Sequence, residues 1–154
     1  MPDLSFNIRT TNDLFNKLLE EYKEFLKNST SSRHAINCAL TAWHLIDWIY
    51  HNDHELSKKY SELKEFQQEL KSLCPSLQIM HDIANGSKHN SLKWHKPIIK
   101  ETRLYKGSFS NDFSRDFDIS SLDIELTDGT KIYFEDEIKN VVDFWTKYLN
   151  KTCS

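Results

Sequence analysis

The sequence predicts an α+β fold, mainly α, in which a four-helix bundle precedes a small antiparallel β-sheet and a C-terminal helix. Its 154 residues include only three Gly and three Pro, too few turn residues for an all-β architecture. Apolar residues recur at helical spacing over 11–95, and strand-like alternation is confined to 98–134. We therefore expect a single domain, with the helical bundle over 11–95, antiparallel strands and a loop over 98–134, and a helix over 135–150.

The first two helices are predicted from their apolar stripes. The first begins with Thr11 as its cap and ends at Lys27 and Asn28. The Ser and Thr residues of 29–32 end that helix and can cap the second. One stripe of the second helix is small and apolar, and larger apolar residues lie beside it. Such a helix belongs in the centre of a bundle.

Two more helices are predicted before the strands. Leu and aromatic residues repeat helically over 54–73, and Cys74-Pro75 breaks the pattern. Ser76 can cap a fourth helix that starts at Leu77. Apolar residues occupy one side of that helix. At separations of three and four residues, its opposite side carries His81, Asn85, Lys88 and His89.

The C-terminal third predicts strands followed by a helix. Ile98 to Tyr105 alternates in part, and Leu122 to Leu126 alternates strictly before the hairpin signal Asp128-Gly129. The return strand is predicted from Lys131 to Phe134, and 135–149 shows helical spacing. The polar stretch 107–121 between the strands is predicted to be a loop.

Composition restricts the classes of function. Twenty basic and twenty-three acidic residues give a net charge of −3, which does not favour a protein that binds duplex nucleic acid. Cys38, Cys74 and Cys153 lack the paired spacing of a zinc knuckle or a disulfide framework. With no N-terminal signal pattern and no apolar run of about 18 residues, we expect a cytoplasmic protein that does not enter a membrane.

The stretch from Asp82 to His89 is the predicted site, because it concentrates polar groups in an otherwise apolar helix. If the second and fourth helices pack together, His44 and Asp47 can face Asn85 and His89. A carboxylate beside an imidazole makes the histidine useful as a general acid or base. Lys88 would add a positive charge. The alternative is that Asp47 and His89 form a buried polar pair that fixes helix register.

Two further interpretations concern ligands. A local basic run either binds phosphate or is a solvated face. The run contains Lys88, His89, Lys93, His95, Lys96 and Lys100. Trp94, just past the site helix, can stack on a nucleic-acid base. Helically spaced His44, Asp47 and His51, with His81 and His89, could bind a metal ion, but no Glu-x-x-His or His-Glu-x-x-His motif occurs. We therefore expect no metal and no cofactor.

The segment Asn85-Gly86-Ser87-Lys88-His89 resembles the HEPN superfamily, small helical bundles whose motif places arginine, a polar residue, three variable residues and histidine near the start of the last long helix. Ala84 stands at the arginine position. The chain also resembles a group of uncharacterised bacterial proteins that share the element Trp43-His44-Leu45-Ile46-Asp47-Trp48, a Cys-Pro pair and Ile-Ala-Asn-x-x-Lys-His.

The HEPN resemblance implies a metal-independent ribonuclease, or an inactive relative, in a phage-defence or toxin–antitoxin setting. It gives His89 the proton transfer. The residue pattern itself predicts Asn85 and Lys88 as oxyanion contacts and Asp47 as the group that orients the histidine. Lys88 or Arg33 would replace the missing arginine charge, although lysine lacks the planar fork of a guanidinium. The resemblance also implies a homodimer.

Two alternatives remain beside this hypothesis. The first is a non-catalytic module that binds a protein partner or a nucleotide, in which the same polar residues hold the bundle together or contact the ligand. The second is a metal-dependent enzyme with its centre in the core of the bundle.

Overall fold

The computed structural model describes residues 4–89, 95–108 and 119–152. Within them the chain forms six helices and a three-stranded antiparallel sheet, which confirms the α+β, mainly α class. In chain order the elements are α1 (Thr11–Lys27), α2 (Ser32–Asn52), α3 (His54–Lys59), α4 (Leu63–Leu73), α5 (Ser76–Lys88), β1 (Ile99–Tyr105), β2 (Ser121–Leu126), β3 (Lys131–Tyr133) and α6 (Phe134–Thr152).

Helix α1 begins one residue after its cap. The cap is Thr10, not Thr11, because the Thr10 side chain accepts from the Asp13 amide while the Asp13 carboxylate accepts from the Thr10 amide. This reciprocal pair satisfies two amides at the helix start. The hydrogen bonds that Asp13 accepts from the Arg9 and Thr10 amides also hold its carboxyl pKa below the usual range.

Helix α2 is the central helix, as its apolar circumference predicts. Ten of its residues are buried, and it packs against α1, α5 and α6. The Trp145 indole of α6 is fully buried and donates to the Ala42 carbonyl at 3.2 Å. This hydrogen bond fixes the C-terminal helix on the bundle, because an indole N–H in the core needs an acceptor.

The predicted helix over 54–73 is wrong in its continuity, since α3 and α4 are separate helices. Tyr60 is extended, with φ −115° and ψ 123°, and its carbonyl accepts from the Tyr50 hydroxyl at 2.9 Å. Glu65 then accepts from the amide and hydroxyl of Ser61. The break therefore follows from hydrogen bonds that compete with the helix, a local chemistry that apolar periodicity does not report.

Helix α5 starts without a side-chain cap. Pro75 occupies the cap position, so the prediction that Ser76 caps the helix is wrong. The Ser76 hydroxyl instead donates to Glu137 Oε2 at 2.5 Å and accepts from Asn140 Nδ2 at 3.2 Å. Because both partners lie on α6, this serine ties α5 to the C-terminal helix.

The sheet has the order β1-β2-β3, and the predicted hairpin is present. Gly129 has φ +89°, a backbone conformation that favours glycine over other residues. Ile124 in β2 is 2% exposed and joins the helices in one apolar core. Most of the predicted loop over 107–121 lies outside the described residues. No helix within the described ranges is long and apolar enough to cross a membrane.

Candidate functional site

The two residues at the centre of the sequence hypothesis are Asp47 and His89. Among the described residues, no hydrogen bond or ion pair joins Asp47 to His89. Asp47 instead faces His51 one turn along α2, with 3.4 Å between Oδ1 and Nε2. Helix α5 ends at Lys88, and His89 is extended at φ −123° and ψ 127°. The His89 amide still donates to the Asn85 carbonyl at 2.9 Å, so His89 is the C-cap of the helix, and its pairing with Asp47 stays a prediction.

The remaining predicted residues come together only in part. His44, Lys88 and Arg33 are exposed, and Trp94 lies outside the described residues. Partial burial lowers the pKa of His44, and Lys88 adds to this effect while Asp47 opposes it. His44, Asp47 and Lys88 are therefore close enough to interact electrostatically. No observation connects Arg33 with that group.

Asn85 does belong to a polar site, but its partner is His81. The His81 ring lies flat on Trp43, with 3.9 Å between ring centroids and 10° between planes. Lys71 Nζ lies 2.7 Å from His81 Nδ1. The Asn85 amide nitrogen lies 2.9 Å from His81 Nε2. One imidazole therefore connects α4, α2 and the outer face of α5.

The chemistry of these groups assigns the His81 tautomer. A lysine ammonium has only donors, so Nδ1 must accept from Lys71. A neutral imidazole then carries its proton on Nε2, and Asn85 must present an acceptor to it. This pairing requires the amide rotated by half a turn, so that its oxygen takes the position of the nitrogen. His81 in this state orients the ammonium rather than exchanging protons.

Electrostatics keep His81 neutral. Burial lowers its pKa to about 3, and Lys71 and His95 add to the shift. The centroids of the His95 and His81 rings are 4.3 Å apart. Burial also lowers the pKa of Lys71, although Asp82 opposes this effect. The Lys71 ammonium lies 5.0 Å from the centre of the Trp43 ring, which stabilises a cation.

Asp82 is the buried anchor of the site, with a side chain only 1% exposed. One carboxylate oxygen accepts from His95 Nε2 at 2.6 Å and from Gln78 Nε2 at 2.7 Å. The other accepts from the amides of Ile98 and Ile99 at 2.8 and 3.2 Å. Four donors therefore compensate for the burial of this charge. They also attach the chain entering β1 to α5.

A polar groove of about 570 Å³ opens beside these residues, and we call it the α4–α5 groove. Three lysines and two histidines line it with a single acidic residue among the described residues. The lining residues are Glu62, Leu63, Lys64, Gln67, Gln68, Lys71, Gln78, His81, His95 and Lys96. This lining suits an anion, because the ammonium groups attract it and the glutamines donate hydrogen bonds.

Sequence reasoning placed His81 and Asn85 on one helix face but missed the roles of Lys71, Asp82 and His95. One signal was present for Asp82, which lies three residues after the apolar Ile79 and one before Ile83. An acidic residue in such a stretch needs buried donors. Lys71 gave no signal, since it lies among exposed charges of α4. No group of three or more His, Cys, Asp or Glu side chains in the described ranges is arranged to hold a metal ion.

The fold and the groove define a mainly helical α+β protein with a candidate anion site. Comparison of the chain with family models, with curated proteins and with solved structures finds no match.

Gly86 lies in the last turn of α5, where a glycine is expected to make the helix less stable than an alanine would. A Cβ added at Gly86 would meet no atom within 4 Å. We expect Gly86→Ala to raise the free energy of unfolding by about 0.5–1 kcal/mol in urea denaturation, because alanine loses less backbone entropy in a helix. Gly129→Ala is the control and should lose stability, since its φ is positive. Destabilisation by Gly86→Ala would contradict the expectation.

Proposed function

We propose that this chain is an RNA-associated, HEPN-like protein that binds the sugar–phosphate backbone of single-stranded RNA in the α4–α5 groove. The observation that carries the proposal is the cluster of Lys64, Lys71 and Lys96 around two imidazoles. Phosphate contacts by lysine supply most of the affinity of proteins for nucleic acids. The net charge of −3 is compatible with this, because a local groove can be basic in an acidic chain.

Lys71 is the best-placed phosphate contact in the groove. His81 and Trp43 hold its ammonium in one position, so less side-chain entropy is lost when a ligand binds. Burial lowers its pKa, which means that its charge is incompletely compensated within the fold. A phosphate oxygen would compensate for that charge, and binding would favour the protonated lysine.

RNA cleavage without a metal ion is a second candidate function, favoured by the contact between Asp82 and His95. A carboxylate that accepts from Nε2 fixes the orientation of the ring. Among described residues, no hydrogen bond reaches Nδ1 of His95, and the ring lines the groove. In this proposal the proton-transfer group is His95, and no role remains for His89.

Binding can be tested by titrating a fluorescent single-stranded RNA in the presence of a chelator. We expect Lys64→Gln with Lys96→Gln to weaken binding and to reduce the slope of log K against log salt by about 0.7 for each phosphate that the variant no longer neutralises. Both side chains are exposed, so the fold should be retained. The control is Lys139→Gln on α6, where the exposed ammonium pairs with Asp143.

The proposal fails if the double variant and the control bind RNA equally well. Cleavage is tested separately by following product formation in the same buffer. His95→Gln keeps an N–H for Asp82 but cannot exchange a proton at neutral pH. We expect this variant to bind RNA and not to cleave it. A wild-type protein that binds without cleaving retains the binding proposal and eliminates the second candidate.

A further inference from the structure

Among the residues that the structure describes, strand β1 forms an edge of the sheet, because the order is β1-β2-β3. It is seven residues long, and every residue after Ile99 is exposed. Leu104, near its end, is 45% exposed. Long exposed edges are templates for pairing with another strand, and natural proteins usually shorten or cover them.

The pairing of β2 shows which backbone groups of β1 face outward. The Thr127 amide donates to Ile98 in the strand's N-terminal extension, whereas the Leu126 amide donates to Thr130 on the other side. Backbone N–H and C=O groups of successive residues point to opposite sides of a strand, so the backbone groups of Asp123 and Glu125 point toward β1. Their register partners are Arg103 and Glu101. The intervening Thr102 therefore directs its amide and carbonyl away from β2, toward the open edge.

We propose that β1 pairs antiparallel with β1 of a second copy, around a two-fold axis at Thr102, so that two sheets become one six-stranded sheet. In this register Thr102 faces its own equivalent, and the two residues exchange backbone hydrogen bonds. Glu101 lies opposite Arg103 of the partner subunit, and the symmetry creates this ion pair twice. Both pairs occupy non-hydrogen-bonded positions, where side chains approach most closely.

The charges of the sheet favour a second copy of this chain as the partner of β1. Within its own chain, Glu101 lies opposite another acid, Glu125, and Glu125 is already paired with Lys100 at 2.8 Å. Like charges directly opposite each other destabilise a sheet. A second copy supplies the cation that Glu101 lacks across the strand. A protein that avoided self-association at this edge would instead carry charges of one sign.

The test is the oligomeric state, measured by sedimentation equilibrium over a range of chain concentrations. We expect the wild type to dimerise reversibly and Glu101→Arg to weaken the dimer about tenfold, because both ion pairs become repulsive. The same substitution places arginine opposite Glu125 within the chain, so the monomer should not be destabilised. Adding Arg103→Glu to Glu101→Arg exchanges the charges across the axis and should restore the dimer.

A second variant tests the backbone contribution. Thr102→Pro removes only the outward amide, and an edge strand tolerates proline at such a position. We expect a folded monomer by circular dichroism and sedimentation. A wild type that is monomeric at every concentration overturns the proposal. A dimer that both Glu101→Arg and Thr102→Pro leave unchanged also overturns it, because the interface would then lie elsewhere.

Discussion

Replacing Asp82 with alanine should lower the free energy of unfolding by about 3–5 kcal/mol, because four donors lose their acceptor and each unsatisfied donor costs about 1–3 kcal/mol when it is shielded from water. The carboxylate is 1% exposed and accepts from His95, Gln78 and two backbone amides. Loss of the carboxylate leaves the Ile98 and Ile99 amides, which are partly buried, without their acceptor, and an unpaired donor shielded from water is costly.

The substitution should destabilise the start of β1 more than it destabilises the central helix. Hydrogen exchange of the Ile98 and Ile99 amides should accelerate more than exchange in α2, because Asp82 attaches the start of β1 to α5. Asp82→Asn is the matched control. Its single oxygen can accept from the two amides, but its amide nitrogen cannot accept from Gln78 or His95, so we expect an intermediate loss in urea denaturation. A loss below about 1 kcal/mol in Asp82→Ala, the value typical of an ordinary hydrogen bond, would contradict this account.

The fold was largely predictable because its helices are marked by local periodicity. The apolar stripe of α2 identifies the central helix, and the Asp128-Gly129 signal identifies the hairpin. What periodicity did not predict were the places where a side chain has a tertiary partner. Ser76 bonds to Glu137 instead of capping α5, and the Tyr50 hydroxyl bonds to the carbonyl at the end of α3. Sequence separation hides such partners.

The site was predicted only to the level of a helix. The segment from Asp82 to His89 does supply Asp82 and Asn85, but the predicted pairing of His89 with Asp47 assumed that α5 continues through residue 89. Helix α5 ends at Lys88, but the His89 amide still donates to the Asn85 carbonyl, so that pairing stays a prediction. Lys71 and His95 come from outside the segment, and only the packing of α4 and the chain entering β1 brings them to His81.

The low pKa of His81 makes acid stability a sensitive test of the site. Burial, Lys71 and His95 lower this pKa to about 3 from 6.5. Between these values the unfolded chain binds more protons than the folded chain. The stability that depends on neutral His81 is therefore complete above about pH 6.5 and is lost as pH falls toward 3.

We expect His81→Phe to be less stable than the wild type near pH 7, because it loses the bonds to Lys71 and Asn85 while keeping an aromatic ring on Trp43. The difference should shrink by roughly 1–2 kcal/mol as pH falls through this window, since phenylalanine does not titrate. This change is well below the free energy that corresponds to the whole pKa shift of His81, because the ring is partly exposed and solvent screens its interactions. Urea denaturation at a series of pH values measures the difference.

An NMR titration of the His81 ring protons gives the pKa directly, and Lys71→Met provides the matched control. Removing the ammonium removes one cause of the shift, so the pKa of His81 should rise toward 6.5 and the acid-sensitive window should narrow. The same variant should weaken RNA binding, because the residue that His81 orients is the proposed phosphate contact. An imidazole that titrates near 6.5 in the folded wild type would show that His81 is not held neutral. Lys71 would then face a charged ring, and the argument for its fixed position would fail.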